Sequence, residues 1–287
     1  MEGIITKTLG GFFFVKTNEE IHKCRIRGKI QKQVYPGDIA KINLEDKIVE
    51  SVKKRDNLLT RPKVANVEQM IILTSLKSPP MDKNLLDRFI LMAESSGLIP
   101  LIVFNKIDLV DNLDEYKGNL EIYSEIGYNT FYMSAKQHKG LNKLYQNLGN
   151  KISVIAGPSG SGKSTLINSI VEDVQLPTNE VSEKLKRGVH TTKHVELITL
   201  PSKGYVADTP GFTNINIENI ESDSLRYYFP EFKEYEDLCK FSTCSHTHEP
   251  GCAVKEALEN GLINQERYES YKEIYKELQE KEDDIYG

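Results

Sequence analysis

The sequence predicts a multidomain α/β protein built from three units: a small N-terminal β-barrel, a parallel sheet with helices on both faces, and a mainly helical C-terminal unit. Three observations predict this fold class. Residues 1–64 contain short apolar segments separated by turn residues, residues 65–222 alternate apolar strands with amphipathic helices, and residues 223–287 hold three of the four cysteines. We therefore expect these three ranges to be separate domains.

The composition is that of an ordinary soluble globular protein, with 287 residues, 39% hydrophobic and 28% charged. The sequence shows neither a signal-peptide pattern nor a run of about eighteen apolar residues, so we expect a cytoplasmic protein without a membrane partner. The net charge is −5, but residues 1–64 carry fourteen lysines and arginines against eight acidic residues. Residues 223–287 carry eight against sixteen. The basic first unit is therefore the part suited to nucleic-acid phosphates.

The first unit is predicted to be entirely β. Its five predicted strands are Ile4–Thr8, Phe12–Val15, Cys24–Gly28, Ile39–Ile42 and Ile48–Val52. Five short strands in about sixty residues are typical of the OB-fold, a small barrel that binds single-stranded nucleic acid through a basic groove with aromatic side chains.

Residues of both kinds are present in this unit. The basic ones are Lys23, Arg25, Arg27, Lys29 and Lys32, and the aromatic ones are Phe12, Phe13, Phe14 and Tyr35. For the phenylalanines we favour the alternative that they form the barrel core, since most aromatic residues are buried. For the basic cluster, RNA contact and plain solubility remain equally open. Cys24 is expected to be a small buried side chain.

The second unit alternates strands and helices. Val67–Leu73 and Leu101–Phe104 are apolar runs typical of buried strands, and Asp82 is placed to cap a helix between them. The apolar face of that helix comprises Leu85, Leu86, Phe89, Ile90 and Ala93. Such alternation predicts a parallel sheet, whose ligands bind beyond the carboxyl ends of the strands, where Asn105 stands.

A guanine-binding motif follows the second of these strands, with the residues Asn105, Lys106, Ile107 and Asp108. A carboxylate accepts hydrogen bonds from the N1–H and 2-amino groups that guanine has and adenine lacks, and an amide addresses the N7/O6 edge. We assign these tasks to Asp108 and Asn105. A companion loop, whose backbone N–H reads the base oxygen, is predicted at Ser134, Ala135 and Lys136.

A phosphate-binding loop is the strongest signal in the chain. It lies between a predicted strand, Ile152–Ala156, and a helix that begins near Thr165. Its residues are Gly157, Pro158, Ser159, Gly160, Ser161, Gly162, Lys163 and Ser164, and Thr165, which follows them, is also predicted to bind the nucleotide. The glycines let backbone N–H groups surround phosphate oxygens, and the helix adds its positive end. Lys163 would bridge the β- and γ-phosphates, and Ser164 would ligate Mg²⁺.

Two switch segments complete this motif set. Asp208 is expected to hold Mg²⁺ through water, and the Gly211 N–H to meet the γ-phosphate. In the polar segment 185–192, either Thr191 or Thr192 should reach Mg²⁺ and the γ-phosphate. His190 is either a surface residue or a group that orients the attacking water.

Phe212 stands where many GTPases place a water-positioning glutamine. A phenylalanine has no hydrogen-bonding side-chain group, so we expect the free protein to hydrolyse its guanine nucleotide slowly. A partner that docks onto the first switch, the segment 185–192, would supply the water-orienting contact that Phe212 does not make.

The order of these motifs is inverted, because the base-reading motif precedes the phosphate-binding loop. In an ordinary GTPase the phosphate-binding loop comes first. The sequence therefore predicts a circularly permuted P-loop GTPase, which is compatible with a packed core because domain termini often lie close together at the surface.

The third unit contains a metal-site pattern formed by Cys239, Cys244, His246 and Cys252. Three thiolates and one imidazole suit a closed tetrahedral Zn²⁺ site, which would make the zinc structural. His248 is an alternative fourth ligand by spacing, and free thiols or a redox role are alternative functions. After the site, a packing helix is predicted by residues at helical intervals, namely Leu262, Tyr268, Tyr271, Tyr275 and Leu278.

Together these motifs resemble the small ribosomal subunit biogenesis GTPases, the RsgA family, along the whole chain. Further matches are the junction Arg55–Val67, Gly188 with His190 to Thr192, and Asp208 to Phe212. The resemblance implies GTP hydrolysis stimulated by the 30S subunit, late maturation of that subunit with 16S rRNA contact, and His246 rather than His248 as ligand. Val189 departs from the basic residue that is common in the family.

Three functions are compatible with these motifs. The favoured one is a Mg²⁺-dependent GTPase that binds GTP and GDP, contacts rRNA through its barrel and zinc unit, and carries one Zn²⁺ per chain as a monomer. The second is an RNA-binding assembly protein whose nucleotide site is not catalytic. The third is an enzyme that transfers phosphate to a small acceptor, which the guanine-binding motif disfavours.

Overall fold

The structure, a computed structural model, describes residues 1–18, 20–26, 28, 33–173, 195–208, 215, 217 and 220–286. The strands are β1 Glu2–Leu9, β2 Phe12–Lys16, β3 Ile21–Ile26, β4 Ile39–Asn43, β5 Ile48–Val52, β6 Leu58–Thr60, β7 Lys63–Ala65, β8 Gln69–Ser75, β9 Ile99–Asn105, β10 Asn129–Tyr132, β11 Ile152–Ala156, β12 Glu196–Thr199 and β13 Tyr205–Asp208. The α-helices are α1 Lys83–Ser95, α2 Asp114–Glu125, α3 Leu141–Asn147, α4 Lys163–Asp173, α5 Ala253–Glu259 and α6 Gln265–Tyr286.

Strands β1 to β5 form the predicted barrel. The pairing runs β1–β2–β3–β5–β4 and returns to β1, so the sheet closes on itself. Its core is formed by buried residues from every strand: Ile5, Val15, Cys24, Ala40, Ile42 and Val49. The OB-like barrel and the burial of Cys24 are thus confirmed.

The core interpretation of the phenylalanines is wrong in part. Strand β2 alternates its faces, so Val15 is fully buried. The three phenylalanines are all half-buried, and Phe13 packs against the core together with Val15. Phe12 and Phe14 have a cation over the ring: the Lys23 Nζ lies 4.1 Å from the centroid of Phe12.

Strands β10–β9–β8–β11–β13 form the predicted parallel sheet. One face is covered by α1 and α2, whose buried residues include Phe89 and Tyr123, and the other by α3 and α4, with Leu144 and Ile170. Helix α1 begins at the predicted cap, since Asp82 Oδ1 accepts a hydrogen bond from Leu85 N at 3.0 Å. Helices on both faces are therefore confirmed.

The sheet also contains a strand that the sequence did not predict. β12 runs antiparallel to β13 and pairs with β1 through Lys7 and Glu196. This pairing joins the barrel to the parallel sheet, and the ion pair between the same two residues, 3.2 Å long, supports it.

The chain after β13 forms short 3₁₀ helices, Ser222–Tyr228, Pro230–Phe232 and Glu236–Leu238, followed by α5 and α6. Helix α6 buries Tyr268, Tyr271, Tyr275 and Leu278 as predicted. Leu262 is 66% exposed, because the chain turns at Gly261 with a φ of 72° before the helix begins. Among the described residues, no helix has the length and apolar character that crossing a membrane requires.

Candidate functional site

Three loops and the end of a further strand meet at the carboxyl edge of the parallel sheet. The loops follow β9, β10 and β11 and carry the base-reading motif, the companion loop and the phosphate-binding loop, and Asp208 is the last residue of β13. Parallel neighbours end at the same edge, so residues far apart in sequence become neighbours there.

Asn105 links the base-reading motif to the phosphate-binding loop and to the companion loop. Its side chain is buried, and Nδ2 donates to the Ser161 carbonyl of the phosphate-binding loop at 2.8 Å. Its Oδ1 accepts from the Ala135 N–H of the companion loop at 3.0 Å. The second N–H of the amide donates to no other described residue, which leaves it for a ligand. Asn105 therefore holds the loops together in addition to its predicted role at the base.

Lys106 and Asp108 of the base-reading motif carry a cation and a carboxylate. Lys106 has a φ of 65°, and its Nζ donates to the Gly160 carbonyl at 2.6 Å and to that of Ser78. Asp108 keeps one buried carboxylate oxygen, Oδ1, which has no hydrogen-bond partner among the described residues. A buried acceptor without a partner is costly, so this atom calls for a donor from a ligand.

The phosphate-binding loop needs its glycines for space. A Cβ on Gly157, whose φ is 142°, would lie 2.1 Å from the Leu73 carbonyl oxygen. A Cβ on Gly162 would lie 2.4 Å from the Nδ2 of Asn105. Only glycine allows the loop to approach both neighbours this closely.

The Lys163 ammonium lies over this loop, and it donates to the carbonyls of Gly157 and Pro158, both at 2.8 Å. Burial lowers the pKa of Lys163. Ser164 and Thr165 are exposed in the first turn of α4, within reach of a ligand at the positive end of the helix. A phosphate group would offer this ammonium a charged acceptor in place of two neutral ones.

The companion loop is tied to the P-loop helix. Ser134 and Lys139 form a backbone bridge across it, Lys136 is exposed, and Ser169 of α4 donates from Oγ to the Ala135 carbonyl at 2.7 Å. Ser169 is not among the site residues predicted from the sequence. Its signal was a polar residue between Leu166 and Ile170 on the buried face of the helix.

The switch predictions lie mostly outside the described residues. Asp208 ends β13 at the same edge and is half-buried. The other predicted switch residues, all outside the described part of the chain, are Val189, His190, Thr191, Thr192, Thr209, Pro210, Gly211 and Phe212.

The Cys/His cluster is a second site, remote in sequence from the first. The ligand atoms of Cys239, Cys244, His246 and Cys252 all lie within 4.8 Å of one another. The His246 Nδ1 is 3.6 Å from the Cys239 sulfur and 3.5 Å from the Cys252 sulfur, and these two sulfurs are 3.9 Å apart. A tetrahedron with Zn–S of about 2.3 Å and Zn–N of about 2.0 Å has edges of roughly 3.5–3.8 Å. Cys239, His246 and Cys252 therefore have the spacing of zinc ligands, and the Cys244 sulfur lies within 4.8 Å of each of them, so the set is compatible with a zinc site.

Burial shifts the pKa values of two residues in this cluster, His246 and Cys244. Burial, with the nearby Arg226 guanidinium, lowers the pKa of His246 to about 4, so the imidazole is neutral and able to bind a metal. Burial raises the pKa of the Cys244 thiol to about 12, a shift that a bound cation would oppose by stabilising the thiolate. The rival ligand His248 is 80% exposed and lies outside the cluster.

A third surface lies on the barrel. The Phe12 ring has the Lys23 ammonium and the Arg25 guanidinium above it, at 4.1 Å and 5.2 Å from its centroid. The Tyr35 ring has Arg55 and Lys63 at 5.0 Å and 5.4 Å. Of the other predicted cations, Arg27, Lys29 and Lys32 lie outside the described residues.

Two family models match the chain: the RsgA N-terminal domain over residues 2–48 and the RsgA GTPase over residues 52–218. A relative from Clostridium perfringens (strain 13 / Type A), named small ribosomal subunit biogenesis GTPase RsgA, is 44% identical over 284 residues, covering 97% of this chain and 98% of the relative. A relative of the same name from Caldanaerobacter subterraneus subsp. tengcongensis is 42% identical over 288 residues, covering 98% and 97%.

Two solved structures share the fold over nearly the full length. YloQ, described as a circularly permuted GTPase, has a TM-score of 0.81 at 34% identity and covers 98% of this chain and 95% of its own. YjeQ from Thermotoga maritima has a TM-score of 0.83 at 38% identity, with coverages of 97% and 98%. The chain therefore belongs to the RsgA family and is a circularly permuted GTPase.

Proposed function

We propose that this chain is a Mg²⁺-dependent GTP hydrolase that is stimulated by the small ribosomal subunit and acts late in the assembly of that subunit. The observation that carries the nucleotide part is the buried, unpartnered Oδ1 of Asp108. It lies in the motif that Asn105 connects to the phosphate-binding loop. The ribosomal part rests on the relatives, which are named small ribosomal subunit biogenesis GTPases.

The guanine base would be selected by Asp108, which accepts from N1–H and the 2-amino group. Asn105 has one amide N–H left for the N7/O6 edge, and a backbone N–H of the companion loop Ser134, Ala135 and Lys136 would read the base oxygen. Adenine would place an acceptor nitrogen against the Asp108 carboxylate, and an unmet polar pairing of this kind rejects a wrong ligand by roughly 10⁴ or more.

The phosphates would be held by the backbone N–H groups of Gly157 to Ser164, with Lys163 at the β- and γ-phosphates. Mg²⁺ would be ligated by Ser164 and by one of Thr191 or Thr192. Asp208 would hold the ion through a water molecule. The ion would neutralise charge that develops on the phosphate oxygens. Gly211 would donate its N–H to the γ-phosphate, and His190 would orient the attacking water.

The remaining units would connect this site to RNA. We assign residues 1–64 to an rRNA-binding barrel, residues 65–222 to the GTPase domain and residues 223–287 to a zinc-binding domain. Cys239, Cys244, His246 and Cys252 would hold one structural Zn²⁺ per chain. The protein would work as a monomer in the cytoplasm, with GTP, GDP and the 16S rRNA of the 30S subunit as its partners.

The proposal is tested by GTP turnover of the full chain, with and without purified 30S subunits. Without them we expect a rate on the order of 10⁻⁴ to 10⁻² per second, since Phe212 leaves the site incomplete. Saturating subunits should raise the rate by about 10² or more.

His190→Ala should lower the stimulated rate while leaving GTP affinity nearly unchanged, because the residue would act on the transition state. Equal stimulated rates would remove His190 from the mechanism. A wild-type rate that subunits do not raise would contradict the ribosomal part of the proposal.

A further inference from the structure

Ser169 places a buried hydroxyl in the middle of α4, the helix that follows the phosphate-binding loop. The residue is 3% exposed, and its Oγ lies 2.7 Å from the Ala135 carbonyl oxygen and 2.9 Å from that of Thr165. A hydroxyl carries one proton, and the shorter contact is the one to Ala135. The contact with Thr165 is open to any serine in a helix, whereas the contact with Ala135 reaches another loop. Ser169 therefore connects the companion loop to the first turn of α4.

The three residues of the companion loop differ in whether their backbone N–H groups have acceptors. The Ser134 N–H donates to the Lys139 carbonyl at 3.0 Å. The Ala135 N–H donates to the Asn105 Oδ1, also at 3.0 Å. The Lys136 N–H donates to no described residue, and Lys136 is exposed. Of the three residues, Lys136 therefore has the N–H that is left for a ligand.

The contact with Ser169 sets the direction of this N–H. The Ala135–Lys136 peptide is trans, so its carbonyl and its N–H lie in one plane and point in opposite directions. With the carbonyl held against α4, the N–H points away from the helix. The other donor to this carbonyl among the described residues is the His138 N–H, 3.4 Å away in the same loop. Ser169 is thus the partner that ties this peptide to the rest of the domain.

We propose that Ser169 is a positioning residue for base recognition: through the Ala135–Lys136 peptide, its hydroxyl aims the Lys136 N–H at the 6-oxo group of guanine. The inference rests on the proposed guanine-nucleotide function. Because the hydroxyl acts through this N–H, its effect depends on the acceptor that the base offers at position 6. The same helix begins with Lys163, so one element positions both the base-reading N–H and the phosphate-binding ammonium.

The test is the dissociation constant of the full chain, measured by titration calorimetry, for three nucleotides that differ in the base. GDP and inosine diphosphate both have the 6-oxo group. 6-Thioguanosine diphosphate keeps the N1–H and the 2-amino group but has a sulfur at position 6, which is a weak acceptor. Ser169→Ala should weaken GDP and inosine diphosphate by a similar factor of about three to ten, the size of one neutral hydrogen bond. It should weaken 6-thioguanosine diphosphate by less than about twofold.

Ser153→Ala is the matched control. Ser153 is also buried, but its Oγ donates to the Gln69 Oε1 at 3.2 Å, between β11 and β8. This variant should keep the wild-type affinity ratios for the three nucleotides. Equal losses for the three in Ser169→Ala, no loss at all, or the same nucleotide pattern in Ser153→Ala would overturn the inference while leaving the proposed function intact. A wild type that binds no GDP would overturn both.

Discussion

The Cys/His cluster and the nucleotide edge of the sheet differ in how far the protein alone completes them. The cluster is closed: three of its four residues are buried, and the four ligand atoms lie within 4.8 Å of one another. The nucleotide edge is assembled from separate loops, and among the described residues it leaves two oxygen atoms, Asp108 Oδ1 and Ser161 Oγ, buried without partners, whereas the cluster leaves the His246 Nε2. A closed site is suited to stabilising a fold, whereas an incomplete one is suited to a ligand that comes and goes.

Loss of the metal should have the largest effect. Structural zinc in small metal-dependent domains contributes on the order of 10–16 kcal/mol of binding free energy. Cys244→Ser should therefore lower the zinc content well below one ion per chain and leave residues 223–287 sensitive to trypsin. Metal analysis of protein purified without added zinc, followed by limited proteolysis, measures both.

Cys24→Ser is the matched control for that experiment, because Cys24 is also buried but lies in the barrel core, away from the cluster. It should keep its full zinc content. If Cys244→Ser also kept its zinc and its resistance to trypsin, the proposed ligand set would be wrong.

The next largest effect concerns the contact between the GTPase sheet and the C-terminal unit. The buried Arg267 guanidinium lies 2.6 Å from Asp87 of α1 and 2.7 Å from Glu231. Burial acts to lower the pKa of Arg267, but the two carboxylates outweigh it and the net shift is upward. Arg267→Met would leave both carboxylates buried without a cation. The free energy of unfolding, measured with urea, should therefore fall by about 3–5 kcal/mol.

The same helix pair offers a control. Arg88 of α1 pairs with Glu277 of α6 at 2.6 Å, but the Glu277 side chain is 53% exposed. Arg88→Met should therefore cost no more than about 1 kcal/mol. Similar losses of unfolding free energy for Arg267→Met and Arg88→Met would show that burial does not determine how much these ion pairs stabilise the protein.

A smaller effect is expected at the barrel surface. Phe12 is half-buried beneath two cations, and stacking of a base on an aromatic ring contributes about 1–3 kcal/mol. Phe12→Ala should weaken binding of a single-stranded 16S rRNA oligonucleotide by roughly five- to 150-fold, measured by fluorescence anisotropy.

Leu9 faces Phe12 across the strand pair and is 45% exposed, so Leu9→Ala removes apolar surface without removing a ring. It should change RNA affinity little. Equal losses for Leu9→Ala and Phe12→Ala would argue against stacking.

Both sites could be located from the sequence because short spacings encode them. Gly157 to Lys163 and the four metal-binding residues lie close together along the chain, so local geometry follows from their order. The partners of Asn105 and Asp87 were not predictable in this way. Ser161 and Arg267 lie 56 and 180 residues away from them, and only the folded sheet and helix pair bring them together.

The barrel shows a second limit of sequence reasoning. Alternation along β2 places Phe12 and Phe14 on one face and Phe13 and Val15 on the other, but four consecutive apolar residues do not reveal which face is inside. Strand β12 was not predicted at all, since the four residues Glu196–Thr199 carry too little pattern to be recognised.

The central claim is that the open edge selects guanine through Asp108. Its most direct test is the affinity of wild type and Asp108→Asn for GDP, ADP and xanthosine diphosphate. Wild type should prefer GDP to ADP by roughly 10⁴ or more. Asp108→Asn should lose GDP affinity and gain affinity for xanthosine diphosphate, because an amide N–H donates to the 2-oxo group that replaces the 2-amino group. Equal wild-type affinity for GDP and ADP, or an Asp108→Asn variant that binds GDP as tightly as wild type, would contradict the account.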